Sequence, residues 1–180
     1  YQCVRVLEWS GPAGPRETGY WATNGWPLAL ALDGGYAYVA TSEMRFQVFN
    51  LGGPDQPELV GEYRLDDYQQ LDCIVVWNGY AYIFHDYHDL TIMEVHRPDH
   101  PEFIGTMNIH IDDYCLHGSH LYLADGYDGL AELDLSNPTQ PIYRSIWKPE
   151  NRQYITGVDI QWPHAVISGS RLWIIDISHP

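Results

Sequence analysis

The sequence predicts an almost all-β protein made of four copies of a repeat of about forty residues. Composition is the first reason. Of 180 residues 14% are aromatic, with 14 Tyr and 7 Trp, and the 16 Gly and 12 Pro suit strands joined by tight turns. Internal repetition is the second reason, because one proline recurs at spacings of 44, 40 and 42 residues. These prolines are Pro54, Pro98, Pro138 and Pro180.

An apolar residue stands eight positions before each of these prolines and aligns the copies. These residues are Phe46, Leu90, Leu130 and Leu172. A second proline follows three positions after the first in three copies, at Pro57, Pro101 and Pro141. Proline lacks the N–H that a central strand needs, so these segments are predicted to be one connecting loop, seen three times.

Turn-forming residues divide each copy into strands. Asp33-Gly34-Gly35, Asn78-Gly79 and Gly118-Ser119 each lie between apolar segments, as hairpin turns do. We predict first strands at 28–32, 72–77, 113–117 and 156–162, second strands at 36–41, 80–85, 120–125 and 164–168, third strands at 45–50, 90–95, 130–135 and 172–177, and fourth strands at 58–64, 102–108 and 142–147. Matching tyrosines of the second strands are predicted to pack between repeats, namely Tyr36, Tyr38, Tyr80, Tyr82 and Tyr122.

The third copy, from Tyr122 to Pro141, resembles the LVIVD repeat of bacterial and archaeal propellers, and Leu172 to Pro180 is similar to the core of that repeat. The resemblance runs from near Leu28 to the end of the chain. It implies a β-propeller, with blades of four antiparallel strands around a central axis. It also implies that Asp125 is a residue of the repeat without a catalytic role. Its motifs specify architecture rather than activity.

We expect a single propeller domain over 1–180, with blades at about 23–65, 66–109, 110–149 and 150–180 plus 1–9. The fourth copy supplies three strands, and Gln2 to Trp9 is a strand-like segment without a copy of its own. The N-terminal strand is therefore expected to close the last of four blades, which would remove exposed sheet edges. The alternative is that the chain is part of a larger propeller, with two chains sharing one eight-bladed ring.

Charge and motif content exclude several function classes. A formal charge of −15, with only 9 scattered Lys and Arg, disfavours nucleic acid as a partner. No apolar run approaches the ~20 residues of a membrane span, so membrane insertion is not expected. Cys3, Cys73 and Cys115 lack CxxC spacing and indicate neither a zinc site nor a disulfide framework. No nucleotide or flavin motif is present, so no organic cofactor is expected, and a divalent cation is left open.

The loops at one end of the predicted blades are the candidate ligand-binding face, by analogy with other propellers. The face is acidic and aromatic, and the candidate residues are His85, Asp86, His88, Asp89, His110, Asp112, Asp113, Tyr114, Tyr127, Trp21 and Trp26. The densest cluster is His85 to Asp89, which can form an acid–base couple or hold a metal. Exposed turns favour the same residue types for local hydrogen bonding.

Trp21 and Trp26 are singled out for a different reason. They lie in a Gly- and Pro-rich insertion, Ser10 to Pro27, outside the repeat. Blade packing does not require their burial, so they are candidates for a lid or a binding surface.

Three functions follow as hypotheses. The first is a binding or adhesion module, extracellular or at the cell surface, that presents its loops to a glycan, a cation or a protein; the resemblance to surface-associated proteins favours it. The second is a cofactor-free or metal-assisted hydrolase, lyase or cyclase with His85, His88 or His110 as the base. The third is a structural subunit that self-associates or pairs with a second propeller fragment.

Overall fold

The computed structural model describes residues 2–9, 11–12, 14–52, 57–65, 71–85 and 89–178. These residues form antiparallel strands almost throughout, with one short 3₁₀ turn at Glu150–Arg152. The chain divides into two compact units, Tyr1–Met107 and Asn108–Pro180. None of the helical residues described forms a segment long and apolar enough to cross a membrane. The predicted all-β class is confirmed, and the single domain over 1–180 stays a prediction.

The first unit contains a two-stranded sheet and two four-stranded sheets. The two-stranded sheet pairs β1 (Cys3–Trp9) with β2 (Pro15–Ala22). The next sheet contains β3 (Pro27–Asp33), β4 (Tyr36–Thr41), β5 (Arg45–Asn50) and β6 (Glu58–Arg64). The third contains β7 (Leu71–Trp77), β8 (Tyr80–His85), β9 (Asp89–Glu94) and β10 (Glu102–Asn108). In each sheet, strands adjacent in the chain are adjacent in space.

The second unit follows the same plan. Its four-stranded sheet contains β11 (Asp113–His117), β12 (His120–Asp125), β13 (Gly129–Asp134) and β14 (Ile142–Trp147). Its three-stranded sheet contains β15 (Ile155–Gln161), β16 (His164–Gly169) and β17 (Leu172–Asp176). The strands predicted in all four copies agree with these bounds to within one or two residues.

Local turn chemistry explains that agreement. Asn78 and Gly79 have φ of 49° and 75°, and Gly118 has φ of 60°, as tight hairpin turns require. A side-chain-to-backbone hydrogen bond forms a turn at the end of the third strand in three copies. The side-chain oxygens of Asn50, Asp134 and Asp176 each accept a backbone N–H two residues later at 2.9 Å. Such turns form from neighbouring residues, which is why the sequence pattern reveals them.

Each unit has its own apolar core. In the first unit, Tyr38 and Phe46 stack with ring centroids 6.1 Å apart and join residues of β7, β8 and β9 in one cluster. In the second unit, Leu130 and Tyr122 join Ile155 and Ile167 of the three-stranded sheet. Tyr38, Tyr82 and Tyr122 are all buried, and Tyr38 and Tyr122 lie in these clusters, as predicted for packing between repeats.

The prediction that Gln2 to Trp9 closes the last blade is wrong. β1 pairs with β2, Cys3 lying opposite Ala22 and Trp9 opposite Pro15, whereas β17 belongs to another sheet. The Gly- and Pro-rich insertion, for which no strand was predicted, therefore contains β2. A hairpin between neighbouring segments closes a short loop, and pairing with a strand some 160 residues away closes a very long one at a higher entropic cost.

The fourth copy departs from the others at the aligned apolar position. Phe46, Leu90 and Leu130 are fully buried, but Leu172 is 65% exposed. In the first and third copies a fourth strand lies beside this position, with Tyr63 opposite Phe46 and Trp147 opposite Leu130. Among the described strands β17 is bordered only by β16, so its aligned residue lacks that cover.

Candidate functional site

At one end of the sheets of the second unit, the segment before β11, the β12–β13 turn and the segment before β15 meet. The Asp112 N–H donates to the Ala124 carbonyl at 2.8 Å, and the Ile155 N–H donates to the Gly126 carbonyl at 3.1 Å. These backbone bonds bring together a set of side chains that we call the tyrosine–carboxylate cluster. Its members are His110, Asp112, Asp125, Tyr127, Tyr143 and Tyr154.

Asp125 is a partly buried member of the cluster. Its carboxylate is only 12% exposed and has two partners, His110 Nδ1 at 3.1 Å from Oδ1 and the Tyr143 hydroxyl donating to Oδ2 at 2.6 Å. These contacts offset the cost of removing the charge from water. Burial first, and then the bond to Asp125, raise the pKa of Tyr143. Tyr143 therefore stays a neutral donor at physiological pH.

The exposed side of the cluster consists of Asp112, Tyr154 and Tyr127. The Tyr154 hydroxyl donates to Asp112 Oδ1 at 2.9 Å, and this bond is the main reason that the pKa of Tyr154 is raised. The Tyr127 ring meets the Tyr154 ring edge-on, with centroids 4.7 Å apart, and is 60% exposed. Gly126 permits this approach because its φ is 51° and a Cβ there would lie 2.9 Å from the Tyr154 ring.

A cation also borders this surface. Lys148 Nζ lies 2.8 Å from Asp128 Oδ1, and this contact lowers the pKa of Asp128. Both side chains are exposed, so the ion pair contributes little to stability. The surface thus offers carboxylate acceptors, hydroxyl groups, an ammonium group and an aromatic ring.

The predicted His85–Asp89 cluster has a different character. His85 is buried within β8, with Nε2 2.9 Å from Thr91 Oγ1, and lies opposite Asp89 in the β8–β9 register. Asp89 is half-buried. Asp86 and His88 lie outside the described residues, so their role stays a prediction.

Two further predicted residues have structural partners. The Asp113 carboxylate accepts the Val158 N–H at 2.9 Å and so links β11 to β15. Tyr114 is half-buried in β11, opposite Leu123. The structure thus brings His110, Asp112 and Tyr127 together and turns Asp113 toward the neighbouring sheet.

The two tryptophans of the insertion differ from each other. Trp21 is only 8% exposed and packs on Phe49 at 5.6 Å in a cluster with Ala37 and Val39. Trp21 is buried although the repeat does not require it, because the β1–β2 hairpin contributes its apolar side chains to this cluster over the β3–β6 sheet. Its role in a lid or binding surface stays a prediction. Trp26 is exposed, as expected.

Sequence reasoning missed the residues best placed to hold a metal. Among the described residues, one group of three metal-ligand side chains converges, with its ligand atoms within 4.8 Å of one another. It consists of His120, Glu132 and Asp134, near the start of β12 and the end of β13, whereas Asp125 lies at the β12–β13 turn. Comparing the copies in strand register, rather than by motif, would have revealed Glu132.

Comparison with known structures defines the class. The computationally designed Ika4 protein matches with a TM-score of 0.62 and 10% identity, over 87% of this chain and 94% of that one. The designed Ika8 protein matches with a TM-score of 0.65 and 9% identity, over 93% and 51%. BamB from Moraxella catarrhalis matches with a TM-score of 0.66 and 9% identity, over 90% and 50%. The chain therefore spans about half the length of the last two, and its fold is a β-propeller.

The repeat itself matches a known family model. Residues 28–64 and 112–147 match the LVIVD repeat, so the predicted resemblance is confirmed. These two segments are the first and third copies of the repeat, in a chain whose fold is a β-propeller. No curated protein sequence matches it.

Proposed function

We propose that this propeller is an extracytoplasmic binding module that holds a hydroxyl-rich glycan at the tyrosine–carboxylate cluster. The observation that carries the proposal is the exposed Tyr127 ring, held edge-on by Tyr154 beside the exposed Asp112 carboxylate. An aromatic face with a few fixed polar groups is the usual composition of a small-ligand site. Resemblance to surface-associated proteins supports the extracytoplasmic location.

The chemistry of the cluster favours a sugar. A carboxylate has about four acceptor positions, and the described contacts of Asp112 include one from Tyr154. Sugar hydroxyls can donate to the remaining positions, while the apolar face of a sugar ring stacks on Tyr127. Lys148 supplies a donor at the border. Because Tyr154 and Tyr143 already hold the carboxylates, the ligand does not have to order them.

Binding of a panel of immobilised neutral oligosaccharides tests the proposal. We expect the wild-type protein to bind at least one of these oligosaccharides. Tyr127→Ala should raise the dissociation constant for that oligosaccharide at least tenfold, which corresponds to a loss of about 1.4 kcal/mol in binding free energy. Tyr20→Ala is the matched control, since Tyr20 is a similarly exposed tyrosine on β2 of the first unit. Its binding should equal that of the wild type.

Two outcomes would overturn the glycan proposal. One is the absence of binding to any oligosaccharide by the folded protein. The other is preferential binding of choline or another alkylammonium ion with an affinity that falls as salt is added, which would identify the ligand as a cation.

One observation favours a catalytic function as the second candidate. Asp125 holds the His110 ring at 3.1 Å, and a carboxylate in this position is the arrangement that orients a histidine general base. Incubation of the protein with the oligosaccharide that it binds, free in solution, distinguishes the two functions. Recovery of an unchanged sugar after long incubation supports binding alone, whereas conversion that disappears in His110→Ala supports an enzyme.

A further inference from the structure

Three metal-ligand side chains converge on the β12–β13 strand pair. His120 Nδ1 lies 2.8 Å from Glu132 Oε1, and Asp134 offers an oxygen within 4.8 Å of both ligand atoms. Glu132 is only 4% exposed, while His120 and Asp134 are half-buried at the surface end of the site. We propose that these three residues bind a divalent transition-metal ion of the zinc type.

The strand register holds the ligands in place before any ion binds. His120 is directly opposite Asp134, and Tyr122 is directly opposite Glu132. Directly opposite residues, and residues two apart on one strand, share a face of the sheet. The three ligands therefore project from one face of two strands inside a hydrogen-bonded sheet, and side-chain rotation alone adjusts their separation.

The other copies show that packing does not require an acid at this position. The residue opposite the second tyrosine is Val48 in the first copy and Ile92 in the second, and both are buried. The fourth copy has Ile174 there, opposite Val166. A buried carboxylate in place of an aliphatic side chain costs several kcal/mol unless it is well paired. His120 is the described partner of this carboxylate, and a bound cation would add a second partner that compensates its buried charge.

The fourth copy provides an internal comparison. His164 lies opposite Asp176, as His120 lies opposite Asp134, and both aspartates accept a backbone N–H from a serine two residues later at 2.9 Å. Two of the three ligand types are thus a property of the repeat. Glu132 is the addition that completes the set in the third copy.

The donor set selects the metal. One imidazole nitrogen and two carboxylate oxygens suit zinc and its first-row neighbours at about 2.0–2.2 Å, whereas calcium and magnesium prefer oxygen ligands alone. Asp134 Oδ1 also accepts the Ser136 N–H at 2.9 Å, a contact that helps to position this ligand.

Titration of the untagged chain with Zn²⁺ in a chelator-free buffer tests the site. We expect one equivalent to bind the wild type, at least tenfold weaker binding to Glu132→Gln, and loss of that equivalent in Glu132→Val and His120→Ala. Glu132→Val introduces the residue type of the first copy, so it should fold at least as well as the wild type without metal. The melting temperature should rise with Zn²⁺ in the wild type and stay constant in Glu132→Val.

His164→Ala is the matched control and should keep the bound equivalent. Co²⁺ in place of Zn²⁺ shows whether a cysteine is a ligand, because thiolate ligation adds a charge-transfer band. Equal binding by wild type and Glu132→Val, loss of binding in His164→Ala, or a thiolate band would each overturn the proposal.

Discussion

Leu130 and Glu132, two residues apart on β13, are both buried but for different reasons. Leu130 packs with Tyr122 and Ile155 in the core of the second unit. Glu132 replaces the aliphatic residue of the sibling copies and is met by His120. A charged side chain at position 130 would have no partner in this apolar cluster, whereas the charge of Glu132 is paired with His120.

Replacing Leu130 with Asp should therefore destabilise the protein by about 4 kcal/mol or more, because an unpaired carboxylate would be buried in an apolar cluster. The matched control is Leu172→Asp, at the aligned position that is exposed, where the change should stay within about 0.5 kcal/mol. Urea unfolding of both variants provides the measurement. A similar loss of unfolding free energy in the two variants would contradict the burial of Leu130 and the exposure of Leu172.

Tyr38 carries a prediction about alkaline pH. Burial, mainly, raises its pKa to about 12 from an ordinary value of 10. The folded state thus retains this proton after the unfolded state has lost it, so the contribution is complete below pH 10 and is lost as pH rises toward 12. Over that range the unfolding free energy should fall by roughly 3 kcal/mol through Tyr38. Urea unfolding from pH 8 to 11.5 should show a shallower decline for Tyr38→Phe, and identical slopes would refute this.

Sequence reasoning located part of the candidate site at the residue scale. Asp112, His110 and Tyr127 were selected because polar residues gathered in the expected loops. Asp125, the centre of the cluster, was assigned to the repeat consensus, and Tyr143 and Tyr154 carried no local pattern. Their hydrogen bonds join residues 18 and 42 positions apart, which only the folded arrangement reveals.

At the scale of the element, local chemistry determined what could be predicted. The hairpins of the first three copies were located because turns such as Asn78-Gly79 need particular residues at particular places. The partner of β1 could not be read in this way, because pairing depends on competition between distant segments. β1 pairs with its neighbour β2 rather than with the distant β17, which the sequence pattern had predicted as its partner.

The β1–β2 hairpin gives a test of its packing role. Trp21→Ala should cost about 3–5 kcal/mol, since it leaves a cavity beside Phe49 and Val39. Trp21→Phe should cost much less, because no described residue accepts a hydrogen bond from the Trp21 indole nitrogen, so that replacement loses no such bond. Thermal unfolding compares the two. An Ala variant as stable as the wild type would instead favour the lid that the sequence suggested.

The β16–β17 strand pair can be used to test whether a second metal site can be introduced. Ile174→Glu adds an acid beside His164 and Asp176 in the register that Glu132 has beside His120 and Asp134. If the register builds the metal site, this variant should bind a second equivalent of Zn²⁺, more weakly because Ile174 is exposed. Calorimetry measures the stoichiometry, and Ile174→Gln is the control. A stoichiometry of one would show that register alone is insufficient.

At the scale of the whole molecule, exposed apolar side chains suggest association with a second copy. Leu172 and Ile174 of β17 are both more than 60% exposed, and among the described strands only β16 borders β17. We expect sedimentation velocity to show a dimer that forms as concentration rises. Ile174→Lys should shift the equilibrium toward the monomer, and an unchanged distribution would exclude β17 as the contact.

The edge of β17 that no described strand covers also bears on colloidal behaviour. An edge strand with apolar side chains is a template for pairing with other chains, and at neutral pH a formal charge of −15 keeps molecules apart. That repulsion disappears near the isoelectric point of about 4.7. Mild acid therefore removes the electrostatic barrier to edge-to-edge association, and we expect precipitation near this pH to start from folded molecules rather than to follow unfolding.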